Sequence, residues 1–159
     1  MEQYTFSDNL EENYKLMVQT VKAFISGESN TIANLSNISA IINEYLLDIN
    51  WVGFYLMEND ELVLGPFQGK PACIRIPIGR GVCGTTAAQK KTIVVEDVHQ
   101  FPGHIACDVA SNSEIVIPII KNNEIFGVLD IDSPKFKRFG ELEQKYLEEI
   151  VTLIEASLI

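Results

Sequence analysis

Apolar side chains recur at helical spacing in three segments of the chain: residues 8–26, a stretch that begins at Thr31, and the segment from Glu141 onward. In each segment, positions three and four apart form one apolar stripe, and polar residues occupy the opposite side. Asp8 and Glu11 have the spacing of a capping box at the start of the first segment. The pattern therefore predicts three amphipathic helices, each of which buries one face.

Between the second and third helices, the helical period gives way to short apolar runs that are typical of strands. Turn residues separate these runs, and the pair Asn122-Asn123 is a hairpin signal between the last two. We therefore predict an antiparallel sheet of six strands. The runs are residues 51–57, 61–67, 73–76, 92–97, 114–120 and 124–131.

Two stretches between the strands differ from this pattern. Residues 79–88 form a glycine-rich turn that leads into a short helix, with Cys83 near its start. Because this stretch lacks the Gly-Lys-Ser/Thr ending of a phosphate-binding loop, we do not expect it to bind nucleotides. Residues 98–113 have no clear period, and a connection of that length inside a domain is often functional.

The order of the elements, helices followed by strands and then a helix, is typical of an α+β fold. The chain has 159 residues, which fits one domain of ordinary size. With 47% hydrophobic and 21% charged residues, it can bury a sizeable core. We therefore expect residues 1–159 to form a single domain, with a central antiparallel six-stranded sheet and helices packed on one of its faces.

The charge of the chain excludes several classes of partner. There are 22 acidic and 12 basic residues, and the formal net charge is −10. No group of lysines and arginines is dense enough to neutralise a nucleic acid or an anionic membrane, so neither is an expected partner. The first residues do not have the basic and apolar regions of a secretion signal, and no run approaches the roughly 18 apolar residues of a membrane span. We therefore expect a cytoplasmic protein.

Three cysteines, Cys73, Cys83 and Cys107, are the candidate reactive groups. An odd number cannot pair completely within one chain, so at least one sulfur is free, metal-bound or transiently paired. In a reducing cytoplasm, cysteines that pair usually do so during a catalytic or sensing cycle. Free cysteines also commonly fill core space, so composition alone leaves both interpretations open. The position of Cys107 in the long loop, beside His104 and Asp108, favours reactivity.

Six short segments form a more specific pattern. They are Asn-Trp-Val-Gly-Phe-Tyr-Leu at 50–56, Leu-Gly-Pro-Phe-Gln-Gly at 64–69, Ala-Cys at 72–73, Gly-Arg-Gly-Val-Cys-Gly at 79–84, His-Ile-Ala-Cys-Asp at 104–108 and Gly-Val-Leu-Asp-Ile-Asp-Ser at 127–133. With these segments the chain closely resembles the free methionine-(R)-sulfoxide reductases, which are built on a GAF domain. The resemblance covers nearly the whole chain and is weakest over the first 30 residues. All three cysteines of that family are matched in spacing.

The resemblance implies a redox cycle for the cysteines. Cys107 would attack the sulfoxide, release methionine and remain as a sulfenic acid. Cys73 is the first candidate for the resolving cysteine that then forms an intramolecular disulfide, and the division of this role between Cys73 and Cys83 stays open. Thioredoxin would act as the external reductant, and no cofactor would be bound. Such an enzyme would reduce free L-methionine (R)-S-oxide, and so protect against and repair oxidative damage to methionine.

Three carboxylates are candidates for the acid chemistry of such a reaction. A spacing of two residues on a strand places Asp130 and Asp132 on one face. Two acids that face one pocket repel each other when ionised, so at least one proton is held more tightly, as an acid catalyst requires. The alternative is a solvated strand end that caps a turn. The resemblance assigns Glu114, Asp130 and Asp132 to the pocket, where they would bind the substrate ammonium group and position or protonate the sulfoxide.

Trp51 and Tyr55 lie four residues apart on a predicted strand, and therefore on one face. Aromatic residues in such positions are most often ordinary core, but the resemblance places these two around the methyl sulfoxide end of the substrate. A zinc site built from the cysteines, His99 and His104 is not expected. No Cys-x-x-Cys or His-x-x-x-His pair is present, so we predict no metal.

Two other functions remain as alternatives. The first is a noncatalytic GAF sensor that binds a small ligand and reports to a partner, although such domains usually adjoin an output domain. The second is a thiol redox sensor, which needs cysteine chemistry but no substrate pocket. Replacing Asp130 with asparagine would leave such a sensor unaffected and would impair a reductase. The sequence leaves a homodimer open.

Overall fold

The structure, a computed structural model, describes residues 8–104 and 109–158. The predicted nucleophile Cys107 lies outside these residues. Four α-helices are present in the described part: α1 (Leu10–Ile25), α2 (Thr31–Tyr45), α3 (Gly81–Gln89) and α4 (Glu141–Ser157). The six strands are β1 (Trp51–Glu58), β2 (Glu61–Gly69), β3 (Arg75–Pro77), β4 (Ile93–Val95), β5 (Ser113–Lys121) and β6 (Glu124–Ser133), and a short 3-10 helix spans Val98–Gln100.

The three predicted long helices are confirmed, with one correction at a helix start. The cap of α1 is Asn9, whose side chain accepts a hydrogen bond from the backbone N–H of Glu12 at 3.1 Å. The predicted cap at Asp8 is therefore wrong by one residue, since Asn9 caps the helix. Asn30 caps α2 in the same way, through the N–H of Ala33 at 2.9 Å. Asparagine suits this position because its side-chain oxygen satisfies an N–H that the helix leaves without a partner.

The six strands form one antiparallel sheet in the order β3-β2-β1-β6-β5-β4. The central neighbours β1 and β6 lie far apart in the sequence, and Trp51 pairs with Asp132 across them. The two short strands differ most from prediction: β3 begins at Arg75, so Cys73 precedes it, and β4 covers only Ile93–Val95. Both are edge strands, where one neighbour instead of two sustains the pairing.

The two faces of the sheet are covered differently. The helices α1, α2 and α4 pack on one face over a large apolar core, as the sequence predicts. The short helix α3 is an exception to the prediction of helices on a single face. Its residues Val82, Cys83 and Ala87 belong to a second apolar cluster on the opposite face, together with Trp51 and Tyr55. That second face carries the candidate site. Within the described ranges, no helix is both long enough and apolar enough to cross a membrane.

Candidate active site

The register of the three central strands brings aromatic and acidic side chains into one row. Trp51 on β1 pairs with Asp132 on β6, and Asp132 pairs on its other side with Glu114 on β5. Directly paired residues on adjacent strands share a face of the sheet. Asp130 is two residues from Asp132, so it lies on the same face and pairs with Gly53. The strands thus place all three predicted carboxylates beside the predicted aromatic wall.

These residues line a pocket between the sheet and α3. The pocket encloses about 560 Å³, counted together with its opening to solvent, which is within the range of small-molecule sites. Six of the eight predicted site residues line it, Cys107 lies outside the described residues, and Cys73 follows the lining residue Ala72. The predicted residues that line the pocket are Trp51, Tyr55, Cys83, Glu114, Asp130 and Asp132.

Two stacked aromatic contacts build one wall of the pocket. The ring of Trp51 stacks on Tyr55 with centroids 5.9 Å apart, and on Phe67 with centroids 5.3 Å apart. The indole N–H of Trp51 donates a hydrogen bond to the carbonyl oxygen of Lys70 at 3.1 Å. Because stacking and this hydrogen bond restrain the indole together, the ring presents a fixed apolar surface to the pocket.

The position of the Trp51 ring depends on Gly53. A Cβ atom at residue 53 would lie 2.3 Å from the Cβ of Phe67 and 2.7 Å from the Trp51 ring, which is closer than atoms can approach. The absence of a side chain therefore leaves the space that the indole fills between Tyr55 and Phe67. Gly69 allows a similarly close approach, since a Cβ there would lie 2.6 Å from the Trp51 ring.

The carboxylates line the pocket beside the aromatic wall, and two of them are deeply buried. Glu114 is 6% exposed and Asp130 is 5% exposed. Burial raises the pKa of Asp130. Burial raises the pKa of Glu114 well above its usual range, and the negative charges of Asp130 and Asp132 add to this effect. The pair therefore holds a proton at a pH where free carboxylic acids have lost theirs, and Glu114 is the better candidate for the protonated member.

The two described cysteines are in different states. Cys73 is disulfide-bonded, and its carbonyl oxygen accepts a hydrogen bond from the Tyr55 hydroxyl at 2.8 Å. Cys83 is a buried free thiol on α3. Burial and the nearby carboxylates of Asp130 and Glu114 raise the pKa of Cys83 well above its usual range. In this state Cys83 is a poor nucleophile, because the thiolate is the reactive form.

Sequence reasoning did not assign several of the lining residues. Arg80 is the N-cap residue of α3 and lines the pocket, as do His104 and Ser111. Burial lowers the pKa of His104, as does the charge of His99. The long connection between residues 98 and 113 was the available signal for His104 and Ser111. The signal for Arg80 was the Gly-Arg-Gly turn at residues 79–81, which does not have the pattern of a nucleotide-binding loop.

Comparisons with known proteins identify the family of this chain. A family described as the GAF domain matches residues 33–158. A free methionine-R-sulfoxide reductase of Escherichia coli (strain K12) is 53% identical over 150 residues, which are 94% of this chain and 91% of that protein. The fRMsr of Staphylococcus aureus, in a structure of its complex with substrate, is 52% identical with a TM-score of 0.89, over 98% of this chain and 100% of that chain.

A structure of the free methionine-R-sulfoxide reductase from Neisseria meningitidis in complex with its substrate is 40% identical to this chain, with a TM-score of 0.94. The match covers 98% of this chain and 94% of that one. Identities of 40 to 53% over nearly the full length, together with the shared fold, confirm the resemblance seen in the sequence. The chain therefore belongs to the GAF-domain family of free methionine-R-sulfoxide reductases, which are oxidoreductases.

Proposed function

We propose that this protein reduces free L-methionine (R)-S-oxide to L-methionine through a cysteine sulfenic acid and an intramolecular disulfide. One observation carries the proposal: a single pocket joins an aromatic wall, a buried carboxylate pair and the chain segment of a disulfide-bonded cysteine. The reaction needs an apolar seat for the methyl group, a proton donor for the oxygen and thiols for the electrons. The pocket has a candidate for each.

The first step is the attack of the Cys107 thiolate on the substrate sulfur. The sulfoxide oxygen receives a proton and passes to the cysteine, so methionine leaves and Cys107 becomes a sulfenic acid. Glu114 is the proposed proton donor, because burial and the neighbouring acids raise its pKa and so favour its protonated form. Burial favours this role further, since a hydrogen bond to the oxygen is stronger where water is excluded.

The second step is the formation of a disulfide. The thiol of Cys73 attacks the sulfenic acid of Cys107, a sulfur–sulfur bond forms, and water leaves. The disulfide-bonded state of Cys73 supports its assignment as the resolving cysteine over Cys83, which is a buried free thiol. Thioredoxin then supplies two electrons and restores both thiols. A thioredoxin-dependent cycle requires a reducing compartment, which agrees with the cytoplasmic location expected from the sequence.

Two groups of lining residues suit the two charges of a free amino acid. Asp130 and Asp132 provide negative charge for the substrate ammonium group. Arg80 and the first backbone N–H groups of α3 provide positive charge and donors for the carboxylate. A residue within a peptide has neither charge at these positions, so the pocket selects the free amino acid. Through this activity the protein would protect against oxidative damage to methionine.

The test is thioredoxin-coupled NADPH consumption with free methionine-(R)-sulfoxide, with the S epimer, and with a peptide that contains methionine sulfoxide. We expect turnover of the free R epimer alone, and none for Cys107→Ser. Cys73→Ser is expected to release about one equivalent of methionine and then stop, because the sulfenic acid is not resolved. Cys83→Ser is the matched control and should continue to turn over.

Other outcomes would favour the alternatives. Absence of turnover with both epimers, from folded and fully reduced protein, would favour a ligand sensor. Equal rates with the peptide would contradict the proposed selection by charge. Activity on the free R epimer that depends on Cys83 instead of Cys73 would exchange the roles of these two cysteines.

A further inference from the structure

Three pocket side chains that are far apart in the sequence form a close group in the structure. The Cys83 sulfur and one carboxylate oxygen each from Glu114 and Asp130 lie within 4.8 Å of one another, and all three residues are buried. They come from α3, β5 and β6. We propose that this group binds one divalent metal ion that accepts thiolate ligands, such as Zn²⁺. The ion would lie beside the carboxylates and compete there with the substrate ammonium group.

The donor set suits such an ion. Zinc binds thiolates at about 2.3 Å and carboxylate oxygens at about 2.0–2.2 Å, so tetrahedral ligand atoms lie about 3.5 Å apart. Separations of at most 4.8 Å therefore come within reach of that geometry through small side-chain rotations. Three protein ligands and one open position for water are a common zinc arrangement. The thiolate favours zinc-type ions over magnesium or calcium, which prefer oxygen alone.

A second observation, independent of the grouping itself, points to a ligand. The Oδ1 atom of Asp130 is buried and has no hydrogen-bond partner among the described residues. No lysine or arginine of the described ranges forms an ion pair with Glu114 or Asp130. A buried carboxylate oxygen without a hydrogen-bond partner is costly, and a cation that fills the space beside this oxygen supplies the missing interaction.

The state of the cysteines makes the site testable without turnover. Cys83 is a free thiol while Cys73 is disulfide-bonded, so the group exists in the oxidised protein. On binding, the Cys83 thiol and the Glu114 carboxyl each lose a proton to solvent, and sulfur–metal and oxygen–metal bonds form in their place. No electron is transferred, so the step needs no oxidant or reductant.

The experiment is a titration of the oxidised, metal-free protein with Co²⁺, followed by displacement with Zn²⁺. A thiolate ligand gives cobalt a charge-transfer absorption that oxygen ligands do not give. We expect one Co²⁺ per chain with this absorption, and its loss on addition of Zn²⁺. Cys83→Ser should abolish the absorption and weaken Zn²⁺ binding at least tenfold. Asp130→Asn should weaken binding at least tenfold while the absorption remains.

Glu96→Gln, at an exposed carboxylate outside the pocket, is the matched control and should bind as the unchanged protein does. Should Cys83→Ser fail to fold, as judged by circular dichroism, Glu114→Gln takes its place with the same expected loss of affinity. Binding without the thiolate absorption, or binding that Cys83→Ser does not change, would overturn the proposal and assign the ion to surface carboxylates.

The competition with substrate rests on the proposed function and has its own measurement. Free methionine-(R)-sulfoxide added to the cobalt-loaded oxidised protein should lower the thiolate absorption as the ammonium group displaces the ion. Methionine amide with a blocked amino group is the control and should leave it unchanged. If cobalt binds as expected but the sulfoxide has no effect, the metal site stands and its overlap with the substrate is wrong.

Discussion

The two faces of the sheet both bury acidic side chains, and they treat the charge differently. On the face covered by the long helices, both carboxylate oxygens of Glu143 accept short hydrogen bonds, one from the Tyr14 hydroxyl at 2.8 Å and one from the Gly140 N–H at 2.7 Å. The guanidinium of Arg138 lies 3.7 Å away and supplies a counter-charge. On the other face, Asp130 is as deeply buried but has an oxygen without a partner.

This difference separates a structural acid, Glu143, from the acid that we propose is functional, Asp130. Glu143 joins α1 to the start of α4, and its interactions are complete within the chain. The pocket acids repel each other, and their raised pKa values record that the fold alone does not stabilise their charge. Acids with perturbed pKa values cluster at functional sites, so this arrangement indicates a site that binds a ligand or carries out a reaction. The lesson is that the partners of a buried carboxylate say more about its role than its depth does.

Asp130→Asn should have the largest effect on activity. It keeps the shape of the side chain and removes the charge that we propose binds the ammonium group and that raises the pKa of Glu114. We expect kcat/KM for free methionine-(R)-sulfoxide to fall by at least about 100-fold, within the range for acid–base groups. The free energy of unfolding, measured by urea denaturation, should not decrease. A stability loss equal to that of a core substitution would place Asp130 with Glu143 as a structural acid.

Glu143→Ala should show the opposite behaviour. It removes two charge-assisted hydrogen bonds and leaves Arg138 without its carboxylate, so the free energy of unfolding should fall by about 2–3 kcal/mol. At a temperature where the variant remains folded, kcat/KM should stay within about twofold of the original value, because Glu143 does not line the pocket. A twofold change corresponds to about 0.4 kcal/mol in the activation free energy. A large loss of kcat/KM in the folded variant would contradict the assignment of Glu143 as a purely structural acid.

Gly53→Ala tests the aromatic wall on the pocket face. The new methyl group would overlap Phe67 and the Trp51 ring, so the indole must move out of its stacked position. We expect KM to rise about tenfold, which corresponds to about 1.4 kcal/mol of lost binding, with a smaller change in kcat. Gly140→Ala is the control, because a Cβ there meets its nearest atom at 3.4 Å. An unchanged KM would mean that the Trp51 ring does not contact the substrate.

The pH dependence of stability gives the smallest and most gradual effect. Because burial raises the folded-state pKa values of Glu114 and Asp130, the folded protein holds protons that the unfolded chain has lost. This contribution to stability is complete below the unfolded pKa values, about 4, and is lost as the pH rises through the folded ones. The side chains of the double variant Glu114→Gln/Asp130→Asn do not titrate, so the variant does not lose this contribution to stability as the pH rises. Urea denaturation from pH 4 to 8 should therefore show the variant gaining stability relative to the original protein.

Local patterns determined much of the fold. The three long helices follow from apolar stripes that repeat along α1, α2 and α4, and the centres of β1, β2, β5 and β6 follow from their apolar runs. These signals depend only on residues close in sequence, so they can be recognised without knowing which segments pack together. The edge strands β3 and β4 were placed less well, since three residues carry little periodic signal.

Local patterns also indicated part of the site. A period of two fixed Asp130 and Asp132 on one face, and a separation of four did the same for Trp51 and Tyr55. The identity of the chemistry came from the resemblance of six short segments to a known family. Nothing local indicated that Gly53 makes room for the indole, because that need arises from Phe67 on the neighbouring strand.

The sequence by itself determined which segments form helices and strands, and which residue types are available for redox chemistry. Only the tertiary structure decided that β1 pairs with β6, so that Trp51, Asp132 and Glu114 stand in one row. It also decided that α3 packs on the pocket face and brings Cys83 to the carboxylates. The reason is physical: periodicity is a property of neighbouring residues, whereas strand pairing and helix packing depend on burial between segments that are distant along the chain.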